Sequence, residues 1–280
     1  MTVFFRGASP GVTLAADIDG PWNGPAVALL HGGGQTRHAW KGTERVLAAN
    51  GFLALTVDLR GHGESGWDLD GDYSIEAFAA DVRLLATAIG RPLALVGASL
   101  GGLSALVALG EPPGLDSTAL VLVDITPRMT SGGRERIGAF MASNPEGFAS
   151  VDEAADAVSH YLPHRPRPAD VSGLAKNLRQ RDDGRYYWHW DPRFMEGARP
   201  RLSSGPEQFE LAAAAVGVPT LLVRGTESEI VSADDVAAFR AVAPGAEYVE
   251  VPKARHMVAG DQNDEFTSAV VEFLVRHVPR

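Results

Sequence analysis

Short, nearly unbroken apolar runs recur along the 280-residue chain, and helical patterns separate them. They lie at Ala26–Leu30, Phe52–Val57, Leu93–Val96, Leu120–Val123, Thr220–Val223 and Tyr248–Val251. A strand with one wet face alternates apolar and polar residues, whereas a parallel strand buried on both faces reads as a continuous apolar run. Runs of this kind between helices predict a mostly parallel sheet covered on both sides. Between them, Ser74 is placed to cap a helix over Ile75–Ile89. Phe78, Val82, Leu85 and Ile89 share one face of it, and Gly90 stops it. Leu100–Leu109 and the C-terminal stretch carrying Phe266, Val270, Phe273 and Leu274 predict further helices, with Asn263 or Asp264 at the start of the last. Thr2–Phe5 and Val12–Ile18 predict an antiparallel pair at a sheet edge.

The rhythm breaks between about residues 127 and 208. Helix-like pieces at Arg134–Ala142 and Val151–Leu162, a Pro/Arg-rich loop and the cluster Tyr186-Tyr187-Trp188-His189-Trp190 fill that interval. A gap of this length in an α/β chain predicts an inserted helical cap, leaving 1–126 and 209–280 as the core domain.

Chemistry concentrates at Gly97-Ala98-Ser99-Leu100-Gly101, between an apolar run and an Ala/Leu-rich helix. A strand that reverses sharply into a helix strains its central residue and brings neighbours two positions away too close for a Cβ. The turn lifts the serine hydroxyl clear of the backbone at a helix N-terminus, where developing negative charge is favoured. Ser99 is the expected nucleophile.

Four segments together resemble the α/β-hydrolase fold family. They are His31-Gly32-Gly33-Gly34, Asp58-Leu59-Arg60-Gly61-His62-Gly63-Glu64-Ser65, Gly97-Ala98-Ser99-Leu100-Gly101-Gly102 and Arg255-His256-Met257, in the family's order. The resemblance covers everything but the expected cap, which it places after the sixth strand. It implies that His256 is the general base that takes the serine proton. It also implies an oxyanion hole from the backbone amides of Leu100 and Gly33, with Gly34 as the alternative donor. His31 and His62 fall in loop-shaping motifs, and His189 is at most a substrate contact. For the triad acid, an alignment on Val231-Ser232 favours Glu229. Asp124, which ends the run Leu120–Val123, is the alternative, and Glu227 is a third possibility.

A serine in the elbow argues against relatives whose carboxylate attacks carbon. Acyl transfer to water remains, from an ester or lactone with a hydrophobic or aromatic acyl group. Carbon–carbon hydrolysis, cofactor-free oxygenation and small-molecule reception are the alternatives hosted by the same fold. Trp188, Trp190, Tyr187 and Met257 are the expected substrate contacts. Phe194, Met195, Trp40 and the loop around Trp67 are weaker ones. The net charge of −10 argues against nucleic acid as a partner. The absence of cysteine rules out disulfides and thiolate chemistry. No metal or cofactor is expected, because no ligand spacing or nucleotide-binding motif is present. No apolar stretch approaches the roughly 18 residues of a membrane span, and no leader is evident, so a cytoplasmic protein acting on a small molecule is expected.

Overall fold

The computed structural model describes residues 1–197, 206–261 and 263–279. Its centre is an eight-stranded sheet. The first two strands, β1 (Thr2–Arg6) and β2 (Thr13–Asp19), form the antiparallel edge. Then come β3 (Ala26–Leu30), α1 (Lys41–Ala49), β4 (Leu53–Val57), α2 (Ile75–Ile89), β5 (Leu93–Ala98), α3 (Leu100–Gly110) and β6 (Leu120–Val123). After the interval that follows β6, the chain returns through α7 (Pro206–Ala215), β9 (Thr220–Gly225), α8 (Ala233–Val242) and β10 (Glu247–Val251). It closes with α9 (Val258–Asp261) and α10 (Asn263–His277). The strand order is β1-β2-β4-β3-β5-β6-β9-β10, and every pair from β4 to β10 is parallel.

The apolar runs are continuous because each sheet face has its own helical cover. Ala28, Leu30, Leu53, Leu55 and Leu95 pack with Phe78, Val82 and Leu106 of α2 and α3. Their neighbours Val27, Leu29, Ala54 and Val96 pack instead with Leu47 of α1 and Phe266, Val270 and Phe273 of α10. Successive residues of one strand thus enter opposite cores, as period-two side-chain alternation requires. Helix α2 starts and stops where the sequence predicts. The Ser74 hydroxyl accepts from the Ala77 amide, and Gly90 takes the left-handed conformation, φ 71°.

The interval after β6 holds α4 (Ser131–Met141), α5 (Val151–Tyr161), β7 (Leu178–Gln180), β8 (Tyr186–Trp188) and α6 (Arg193–Gly197). It is not purely helical: β7 and β8 pair as a small antiparallel ribbon, with Arg179 opposite Tyr187. Residues 198–205 of the expected cap lie outside the described residues. No helix among the described residues is long and apolar enough to cross a membrane.

Candidate active site

The C-terminal ends of β3, β5 and β6 and the loop after β10 converge on one cavity of about 700 Å³, lined among others by Gly33, Ser99, Leu100, His256 and Met257. Ser99 sits at φ 46° and ψ −112°, between β5 and α3. That strain is held by close packing around it. A Cβ on Gly97 would lie 2.5 Å from the Gly101 carbonyl oxygen, and one on Gly101 would lie 2.4 Å from that of Leu30. Both distances are far inside van der Waals contact, so glycine is required at each position. The Ser99 hydroxyl makes no hydrogen bond with the described residues and is free to meet a substrate.

His256 is oriented by Asp124. Its Nδ1–H donates to Asp124 Oδ2 at 2.8 Å, which leaves Nε2 as the proton-accepting nitrogen. Asp124 follows β6 directly, is fully buried, and has φ 48°. Its carboxylate also accepts from the Ser228 hydroxyl at 2.6 Å and the Gly225 amide at 3.2 Å. No motif in the sequence marks Ser228 for this role. Its oxygen accepts in turn from the amides of Ile230 and Val231, so the turn after β9 is built around it.

The expectation that Glu229 meets the imidazole is corrected by this geometry. Glu229 Oε1 accepts from Arg255 Nη1 at 2.8 Å and lies 3.5 Å from Arg136 Nη1, with the side chain about one-third exposed. Glu227 faces the same arginine, 3.3 Å from Arg255 Nη2. The turn at Ser228 accounts for this. It spends its inward-facing position on the serine and sends both glutamates to the outer surface, where the arginine beside His256 holds them.

Three histidines fix the loop after β3. His31 Nδ1–H donates to the Gly32 carbonyl at 2.8 Å, and Nε2 accepts from the Leu59 amide at 3.0 Å. His62 Nδ1–H donates to the Arg60 carbonyl, while Nε2 accepts from the Gly34 amide at 3.1 Å. His189, from the interval after β6, accepts from the Gly63 amide at 2.7 Å and donates Nε2–H to the Gly34 carbonyl at 3.2 Å. It is therefore a buried clamp on the loop and does not line the cavity. The same bonds separate the two candidate oxyanion donors. Gly32 N–H is taken by Gln35 and Gly34 N–H by His62, whereas Gly33 N–H has no partner among the described residues. Leu100 N–H, in the first turn of α3, is likewise unclaimed.

Burial holds all three imidazoles neutral: His31 is pushed down to about 4 and His62 to about 3. His189 falls well below its ordinary value through burial and the neighbouring His62. A histidine depressed in the fold contributes stability above its unfolded pKa of 6.5 and loses it as pH falls through the folded value. The unfolding free energy should therefore decline from about pH 6.5 towards pH 4. In His189→Asn, whose amide oxygen can still accept from Gly63, that decline should be shallower by up to about 1.4 kcal/mol per pH unit, one proton's worth. Urea titrations of both proteins across this range measure the difference. Superimposable slopes would contradict it.

Of the expected substrate contacts, Trp188, Trp190 and Met257 line the cavity, as do Trp40, Phe194 and Met195. Trp188 stacks on Trp190 with ring centroids 5.1 Å apart. Tyr187 does not line the cavity. In β8 its neighbours Tyr186 and Trp188 pack on the hydrophobic core, so alternation turns Tyr187 outward. There it donates to Asp183 and lies under the Arg181 guanidinium. Trp67 is also off the cavity, stacked beneath Arg179.

The family profile described as "Alpha/beta hydrolase family" matches residues 27–269. The chain belongs to the alpha/beta hydrolase family. It is 35% identical over 255 residues to the esterase Rv0045c of Mycobacterium tuberculosis, covering 86% of this chain and 80% of that protein. It is 30% identical over 269 residues to the sn-1-specific diacylglycerol lipase ABHD11 of Mus musculus, covering 92% and 83%. The crystal structure of E-2-(acetamidomethylene)succinate hydrolase superposes with a TM-score of 0.85 at 24% identity, covering 98% of this chain and all of that one. At that identity the likeness speaks for the fold alone. Across this family the three-dimensional frame is shared, and each member's site carries its own chemistry.

Proposed function

We propose that the protein hydrolyses carboxylic esters or lactones bearing an apolar acyl group, by transient acylation of Ser99. The observation that carries this reading is the Asp124–His256 bond, set at the cavity that also holds the strained Ser99 and the unclaimed Gly33 amide. Similarity to the mycobacterial esterase and the mouse diacylglycerol lipase supports ester-bond hydrolysis as the reaction class.

In the first half-reaction Ser99 Oγ attacks the carbonyl carbon and His256 Nε2 takes its proton. Asp124 stabilises the imidazolium, and the carbonyl oxygen, now negative, is met by the amides of Gly33 and Leu100. Donors fixed before the charge develops need no reorganisation, and one of them is typically worth about 10²–10³ in rate. Collapse of the intermediate expels the alcohol, which carries away the proton held by His256. Water then attacks the acyl-enzyme with the same imidazole as base, releasing the acid and restoring Ser99.

Residues 127–208 act as the cap that selects the acyl group. Phe140, Met141, Trp188, Trp190 and Phe194 from this interval wall the cavity, and their surface is apolar. A growing acyl chain should gain about 0.8 kcal/mol per buried methylene, roughly fourfold in kcat/KM, until the cavity is filled. Kinetics on 4-nitrophenyl esters of increasing chain length test this reading. A flat profile, or turnover preserved in Ser99→Ala, would defeat it.

A further inference from the structure

The cavity wall is chemically lopsided. The chain has 35 acidic residues against 25 basic ones, yet no aspartate or glutamate lines the cavity among the described residues. Two of the chain's three lysines do line it, Lys41 and Lys176. All four methionines beyond Met1 line it as well: Met129, Met141, Met195 and Met257. Methionine is unbranched and polarisable, so a methionine-rich wall adapts to flexible apolar chains.

The lysines belong to one stretch of wall. Lys41 opens α1, directly after the turn Arg37–Trp40, and Lys176 lies in the 3₁₀ turn Ser172–Asn177. These two segments are tied by a hydrogen bond from Thr36 Oγ1 to Asn177 Oδ1, 3.2 Å long. Both lysines are exposed as well as lining, so they stand where the cavity opens to solvent. Neither forms an ion pair with the described residues. Two carboxylates on adjoining segments are already engaged. Asp17 faces Arg37 Nε at 3.1 Å, and Asp261 accepts from Arg165 Nε at 2.8 Å and from the Arg255 amide at 2.9 Å.

An apolar ester needs no cation at the entrance, and a strongly negative protein repels an anionic one from a distance. Unpaired lysines at the mouth of a cavity without carboxylates reverse that local field. We propose that this mouth is a subsite for an anionic group, carboxylate or phosphate, carried by the ester or thioester away from its scissile carbonyl, with Lys41 and Lys176 recognising it. The substrate is then amphipathic, with its apolar part against the methionines and aromatic rings and its charge at the lysines. This rests on Ser99 as the acylated residue, but binding to the mouth can be read without turnover.

Two matched pairs test the subsite and separate its sources. A 4-nitrophenyl hemiester with a free terminal carboxylate, beside its methyl-capped analogue, places the anion on the acyl side. Hexanoyl-coenzyme A beside hexanoyl-N-acetylcysteamine places phosphates on the leaving side. Each is titrated calorimetrically into Ser99→Ala and assayed with the unaltered protein. Two exposed lysine contacts predict about tenfold tighter binding of the anionic member in at least one pair. The matching kcat/KM ratio should shrink towards one near 1 M salt, where charges are screened within about 3 Å. In Lys41→Gln/Lys176→Gln that ratio should fall towards one, and in Lys176→Glu below one, whereas Lys253→Gln, off the cavity, keeps it. Equal affinity for both members of both pairs, or a preference indifferent to the two lysines, overturns the subsite. If the neutral esters are still hydrolysed, such a result leaves the esterase reading standing. Anion-dependent binding without any turnover would uphold the subsite and remove the esterase reading.

Discussion

Asp124→Asn should lower kcat by about 10⁴ while Glu229→Gln stays within a few-fold of the unaltered enzyme. The first change is nearly isosteric, so the fully buried side chain keeps its place after β6. An amide can offer His256 Nδ1 a hydrogen where a carboxylate only accepts. That favours the tautomer with Nε2 protonated, which cannot take the serine proton, and it removes the negative charge opposite the imidazolium. Glu229 has no such role, because its carboxylate is bound to Arg255 and Arg136. The two variants assayed side by side on one aryl ester give the comparison. Near-full activity in Asp124→Asn with a large loss in Glu229→Gln would mean that the loop after β9 rearranges during turnover.

Ser99→Ala should cost more, about 10⁶ in kcat, since removing the nucleophile of a concerted triad forfeits the whole unit. Alanine retains the Cβ that the tight turn already accommodates, so folding should be unaffected. A cavity with intact walls and a free Gly33 amide should still bind ester. The variant should therefore keep its affinity for substrate and lose turnover, a separation that general misfolding would not produce.

Much of this site could be read in the sequence because its constraints are local. The apolar runs become strands within a residue or two, since burial on both faces leaves no room for polar alternation in all but the edge strand β10, where Glu250 is exposed. Gly97 and Gly101 flank Ser99 because Cβ atoms there would strike backbone. The acid was not local. Asp124 bonds His256 directly from a left-handed backbone position, and its carboxylate is held by Ser228, which comes from a different strand end. Register along the β9 loop cannot show which side chain of Glu227, Ser228 and Glu229 turns inward. The choice of Gly33 over Gly34 likewise depends on His62, which lies 28 residues further along and takes the Gly34 amide. Tyr187 belongs to an aromatic cluster in the sequence, and the pairing of β8 with β7 decides which of its rings face inward. His189 lies too far along the chain from Gly34 and Gly63 for spacing to reveal that it clamps both.

A covalent acyl-enzyme on Ser99 is read out by intact-protein mass spectrometry after acid quenching of a slowly deacylating aryl ester. The expected result is a mass increase equal to one acyl group, mapped to the peptide containing Gly97-Ala98-Ser99-Leu100-Gly101 and absent from Ser99→Ala. Steady ester turnover with no adduct at Ser99, equally fast in Ser99→Ala, would contradict it.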